Sequence, residues 1–222
     1  MTIMHHPSVS LLTAFSAGTL DLGQHIAVAT HALSCAQCRK WTHTVEQLGG
    51  ATLDNLRPAA MASDALSLVL SRLDEPVKTA KHDITASPSA LAPSALAEVP
   101  GLPKFVGRYS AGEWKWIAPR LHLRPIHVPD AGDTRVFLLK AGPGLKLLPH
   151  THTGMEMTCV LTGSFSHDGT RYGAGDFDLG DSNVDHEISM GPAGDCLCLV
   201  AMQGELRLKG FFGRLMQPFI SI

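Results

Sequence analysis

Gly144-Leu-Lys-Leu-Leu-Pro-His150-Thr-His152-Thr-Gly-Met-Glu156-Met-Thr-Cys-Val-Leu-Thr-Gly163 is the stretch on which the fold of the C-terminal half turns. His150 and His152 are two residues apart, so on a strand both side chains face the same side. Glu156 opens the next apolar run and can turn inward toward them. A further histidine from another strand would close a mixed nitrogen–oxygen metal site, and His186 is placed for it.

The flanking sequence supplies the β context that such a site needs. Short apolar runs at Arg120–Val128, Thr134–Leu139, Glu156–Leu161 and Cys196–Met202 alternate with Gly, Pro and Asp turns, which predicts a sandwich or barrel over 105–222. The spacing Gly144-x5-His150-x-His152-x3-Glu156-x6-Gly163 resembles the first motif of the cupin family at each spaced position. Gly175-Asp176 and His186 fit the second motif. Its usual proline is replaced by Gly180 or lies in a shifted loop, and the asparagine after the histidine is missing. The resemblance implies an all-β cupin (double-stranded β-helix) barrel with His150, His152, Glu156 and His186 as ligands. That ligand set alone permits zinc, manganese, iron or nickel. Cys196-Leu197-Cys198 alternates, so both sulfurs point to one sheet face. With Cys159 they read as small buried hydrophobes, the other reading being an oxidisable pair near the barrel metal. Trp114 and Trp116 read as core or domain-contact residues.

The N-terminal half has a different period. Leu11, Leu12, Phe15 and Leu20 have near-helical spacing. Asp21 to Leu33 starts on an acidic cap candidate and carries Ile26, Ala29 and Leu33 along one side. A third helix is predicted from about Ala36 to Leu48, stopped by Gly49-Gly50. A fourth runs from about Ala59 to Leu73, with Leu66, Val69, Leu70 and Leu73 on one stripe. Four short helices with brief connections predict a small bundle.

Within it stands His31-Ala-Leu-Ser-Cys35-Ala-Gln-Cys38. Cys-x-x-Cys lets two thiolates reach one ion from a single turn, and residues four apart share a helix face. Structural zinc takes four tetrahedral nitrogen or sulfur ligands, so one more donor must come from elsewhere. His5 and His6 both sit just before the first helix, and spacing does not choose between them. His25 and His43 read as surface or partly buried histidines. A thioredoxin-like redox pair would need a βαβ context, which this half lacks.

Charge excludes some classes of function. Across 222 residues, 18 Lys/Arg stand against 20 Asp/Glu, a net charge of −2 with no basic region, so no electrostatic footprint for direct nucleic-acid binding is present. Thr85 to Pro103 is rich in Pro, Ser and Ala and reads as a linker. The first residues lack the basic start and apolar core of a signal peptide, and no apolar run reaches membrane-spanning length. A cytoplasmic location is expected, where five reduced cysteines favour metal chemistry over disulfides.

An early histidine followed by His-x3-Cys-x2-Cys resembles the zinc-binding anti-sigma domain family. Met1-Thr2-Ile3, His5-His6, Leu11-Leu12-Thr13-Ala14, Ala17-Gly18-Thr19-Leu20 and Val28-Ala29-Thr30-His31 look like its ChrR branch. The likeness extends through the β half from Trp114 to Gln217-Pro218-Phe219. It implies an α+β chain of two domains: a four-helix zinc domain over 1–80, a linker over 81–104 and a cupin-like sensor over 105–222. It implies His6, His31, Cys35 and Cys38 as zinc ligands, and zinc also in the barrel. It further implies a non-enzymatic role: sequestering an extracytoplasmic-function sigma factor and releasing it on an oxidative signal such as singlet oxygen. The alternative is a metal-dependent, dioxygenase-like cupin enzyme with a zinc-stabilised helical accessory domain.

Overall fold

The computed structural model describes residues 2–73, 96–148, 150–180 and 188–208. Two compact units are formed, one from the described residues of Met1–Glu46 and Pro93–Ile222, the other from those of Gln47–Ala92. The helices are α1 (Val9–Ser16), α2 (Leu22–Ser34), α3 (Ala36–Asp54) and α4 (Ala65–Arg72). Ser8 caps α1, its Oγ accepting the Leu11 N–H at 3.2 Å. Asp21 caps α2 as its sequence position predicts, Oδ1 accepting the Gln24 N–H at 2.9 Å. Cys35 is extended, at φ −108° and ψ 106°, and this one residue separates α2 from α3.

Two helix ends differ from the sequence expectation. Helix α3 runs through Gly49-Gly50. Each glycine costs about 1 kcal/mol against alanine in a helix. Neither adopts the left-handed conformation that a glycine stop uses, and Glu46, Gln47, Leu48 and Ala51 around them favour helix. Helix α4 begins at Ala65 rather than near Ala59, because Ser63 and Asp64 suit a helix start better than an interior. Its apolar stripe is present but exposed, with Leu66 at 71% and Leu73 at 69% of full accessibility.

The first unit is built on strands β1 (Ser110–Ala111), β2 (Lys115–Ala118), β3 (Leu121–His127), β4 (Arg135–Ala141), β5 (His150–His152) and β6 (Glu156–Thr162). It continues with β7 (Ser164–His167), β8 (Thr170–Gly173), β9 (Phe177–Gly180), β10 (Ile188–Met190), β11 (Cys196–Met202) and β12 (Leu206–Leu208). The main antiparallel sheet has the order β1-β3-β4-β11-β6-β9, with β2 also paired to β3. Two smaller sheets, β10-β7-β8 and β12-β5, complete a β-sandwich. The four runs at Arg120–Val128, Thr134–Leu139, Glu156–Leu161 and Cys196–Met202 became β3, β4, β6 and β11, the middle of the main sheet.

Strand β11 is buried along its whole length. Cys196, Cys198, Val200 and Met202 pack with Phe137, Val160, Phe165 and Met190 inside the sandwich. Leu197, Leu199 and Ala201 point the other way and pack with Leu138, Met157 and the Ile26 and Val28 face of α2. An uninterrupted apolar strand is what a sheet covered on both faces requires. Leu96 and Val106 join the helix-side core. Trp116 does not lie in a core: it is 64% exposed, because β2 pairs only with β3 at the margin of the sheet. Trp114 is partly exposed and lies under Arg124, 5.9 Å from guanidinium carbon to ring centre.

Gly23 lets α2 seat on the sheet. A Cβ there would lie 2.5 Å from Thr134 Cγ2 and 3.2 Å from Val136 Cγ2. Thr134 is itself fixed by donating to Asp21 Oδ2 at 2.6 Å. Replacing Gly23 with valine is expected to lower stability by about 1–3 kcal/mol, the usual cost of overpacking, read from urea unfolding. An unchanged midpoint would show that α2 can shift freely on the sheet.

Candidate metal centre

Three turns of sequence logic bring four side chains together. His31 lies in the last turn of α2, Cys35 at the break and Cys38 in the first turn of α3. The segment before α1 delivers His6. Cys35 Sγ lies 3.3 Å from His6 Nδ1, Cys38 Sγ 3.5 Å from the same nitrogen, and Cys38 Sγ 3.2 Å from His31 Nε2. The four donor atoms all lie within 4.8 Å of one another. A tetrahedron built with the usual zinc–sulfur and zinc–nitrogen bond lengths has nitrogen–sulfur edges of about 3.5 Å. The donor set therefore fits one small tetrahedral cation.

The surroundings prepare these atoms for that role. His31 is fully buried, and its Nδ1–H donates to the Gly175 carbonyl at 2.8 Å. That bond fixes the tautomer and leaves the Nε2 lone pair facing the sulfurs. Burial, set against the raising effect of the Gly175 bond, brings the His31 pKa down to about 4 and keeps the ring neutral. Burial and the adjacent Cys35 push the Cys38 thiol up to about 12. A buried thiolate beside a second sulfur needs a positive charge, and a divalent cation among the four donors supplies one.

His5 is not in the group. Its Nε2–H donates to the Arg171 carbonyl at 3.1 Å and its ring packs on Tyr172 at 4.2 Å between centres. His25 stacks on Phe15 and His43 is exposed, 3.9 Å from Glu46.

The second constellation is described in part. His150 is buried on β5 and its Nδ1–H donates to the Leu148 carbonyl at 2.8 Å. Glu156, at the start of β6, accepts from Thr158 Oγ1 at 3.1 Å. Both line one cavity of about 180 Å³ inside the sandwich, otherwise walled mainly by Leu, Ile, Phe, Val and Met. The backbone of His152 lies on β5 opposite Leu206. The His152 side chain and all of His186 lie outside the described residues. Thr158 and Asp178 also line the cavity and were not foreseen. Alternation along β6 and β9 was the signal that could have found them. Cys159, Cys196 and Cys198 are buried free thiols, with the last two sulfurs 3.7 Å apart.

No helix among the described residues is long and apolar enough to cross a membrane. A family described as the ChrR cupin-like domain matches residues 103–205. Over all 222 residues the chain is 33% identical to the anti-sigma-E factor ChrR of Cereibacter sphaeroides, spanning 100% of both proteins. It also matches a chain in the crystal structure of Rhodobacter sphaeroides SigE in complex with the anti-sigma ChrR, with a TM-score of 0.70 and 31% identity. That match covers 91% of this chain and 100% of the other. An RmlC-like cupin protein from Ralstonia eutropha aligns with 45% of this chain and 68% of its own, at 20% identity and a TM-score of 0.41. On the end-to-end identity, this chain belongs to the ChrR family of anti-sigma factors.

Proposed function

We propose that this protein is a zinc-dependent anti-sigma factor that holds an extracytoplasmic-function sigma factor in the cytoplasm and releases it on an oxidative signal such as singlet oxygen. The observation that carries this reading is the convergence of His6, His31, Cys35 and Cys38 in a chain that resembles an anti-sigma factor from end to end. Residues 1–80 act as the zinc-binding, sigma-holding part, 81–104 as a linker and 105–222 as the sensor, a double-stranded β-helix barrel. The barrel holds a second zinc through His150, His152, Glu156 and His186. The shared cavity of His150 and Glu156 supports that placement.

The residues favour a protein partner. Leu66, Val69, Leu70 and Leu73 form an exposed apolar stripe on α4, and Val9, Leu33 and Trp41 are exposed on the first three helices. Apolar surface of this kind is what one protein offers another. When bound at the N-terminal site, zinc would supply folding energy by joining the segment before α1 to the break between α2 and α3. His31 contributes a neutral nitrogen there, Cys35 and Cys38 contribute charge, and His6 ties the segment before α1 to the break between α2 and α3.

Full-length protein co-expressed with an extracytoplasmic-function sigma factor of its own organism is expected to co-elute with its partner on gel filtration. Cys35→Ser and Cys38→Ser should abolish that co-elution. A zinc-loaded wild-type chain that leaves the sigma factor unbound would refute the proposal. The neutral state of His31 has its own signature in chelator-treated protein. Its folded pKa of about 4 lies below the ordinary 6.5, so the folded state favours the neutral ring. Stability is therefore expected to fall as pH drops from about 6.5 toward 4, by up to about 3 kcal/mol, since each pKa unit is worth about 1.4 kcal/mol. His31→Gln should flatten that slope in denaturant melts.

A further inference from the structure

The turn between β8 and β9 touches both ends of the N-terminal metal centre. Asp176 is 5% exposed and divides its carboxylate between two tasks. Oδ2 accepts the Gly173 N–H at 2.8 Å, which closes its own turn. Oδ1 accepts the Met4 N–H at 2.7 Å and the His5 N–H at 3.0 Å. Phe177 N–H then donates to the His5 carbonyl at 3.1 Å. These bonds pin the backbone immediately before His6.

The same turn reaches His31. The Gly175 carbonyl accepts from His31 Nδ1, and the Phe177 ring meets the His31 ring edge-on at 5.7 Å between centres. Ile3 packs over Gly175, where an added Cβ would lie 2.8 Å from Ile3 Cδ1. Gly175 stands at φ +90°, a conformation that side chains rarely adopt, so glycine serves both the turn and the close approach. The turn, which carries the chain from the β7–β8 sheet to the main sheet, needs of the carboxylate only the Oδ2 bond. The two Oδ1 bonds and the carbonyl to His31 have no part in making the turn.

We infer that Asp176 is a positioning residue for the N-terminal metal centre, and that the β8–β9 turn latches the His6 segment and the His31 ring into the geometry that grips the ion. The inference rests on reading the four-residue group as a metal site. Ligand-supporting groups of this kind alter metal affinity about 10–100-fold when removed. A link to the barrel interior follows from the pleat: β9 carries Phe177 on the helix side, while Asp178 lines the cavity shared by His150 and Glu156.

The test uses full-length protein loaded with cobalt(II), followed through its thiolate-to-metal absorption. The His150, His152, Glu156 and His186 set has no thiolate and does not give that band. Competition with a chelator is expected to show affinity about 10–100-fold lower for Asp176→Ala. Asp176→Asn keeps an oxygen for the Met4 and His5 N–H groups while losing the Gly173 bond, and should fall between wild type and Asp176→Ala. Met4→Pro removes one N–H donor without touching the sandwich, and the exposed Met4 side chain contributes little packing. It should weaken the site as well, so the inference is tested even if Asp176→Ala does not fold. Wild-type affinity in Asp176→Ala and Met4→Pro overturns the latch, as does equal weakening by the alanine and asparagine changes. Absence of the band in wild type, or its survival when both Cys35 and Cys38 are replaced by serine, removes the metal-site reading instead.

Discussion

Strand β11 has apolar side chains on both faces, and one sheet cannot hide both by itself. Cys196, Cys198, Val200 and Met202 are covered by the smaller sheets. Leu197, Leu199 and Ala201 depend on α2. At about 25 cal/mol per Å² of apolar surface, exposing one face of a central strand costs several kcal/mol, comparable with the whole stability of a small domain. The position of α2 follows from that requirement. The position of the metal-ligand group follows in turn, since α2 ends on His31 and breaks at Cys35.

Much of this was legible in the residues. The four apolar runs gave the central strands almost to their ends, and Asp21 marked the start of α2. His31, Cys35 and Cys38 announced themselves by spacing alone. Spacing did not say which early histidine joins them, because His5 and His6 are chemically equal until Arg171 and Tyr172 hold His5 away; the family resemblance pointed to His6, which lies in the group. The run from Cys196 to Met202 carried the information that both faces are buried, but not what buries each. That cover comes from residues about 170 positions earlier, and no local pattern records so distant a pairing. Gly49-Gly50 misled for the opposite reason. Glycine permits a stop without enforcing one, and the neighbours decided.

The two candidate ligand groups sit in unlike surroundings. The N-terminal group combines two sulfurs with two nitrogens at a junction of helices, backed by a carbonyl from the sheet side. In the sandwich, His150 and Glu156 set a nitrogen and an oxygen donor in the wall of a largely apolar cavity. Four nitrogen and sulfur donors within reach of one another suit a structural ion, whereas nitrogen and oxygen donors in the wall of an apolar cavity suit a site that meets small molecules.

The bonds from Met4 and His5 to Asp176 span separations of 172 and 171 residues. Chains are synthesised from the N-terminus at about 5–20 residues per second, so the Met4–His5 segment waits roughly 10–35 seconds before its anchor exists. During that interval helix α2 also lacks the strands that cover it. The Met4–His5 segment is thus among the last of these parts to settle, and the Cys35 and Cys38 thiols spend that time open to whatever the nascent chain meets.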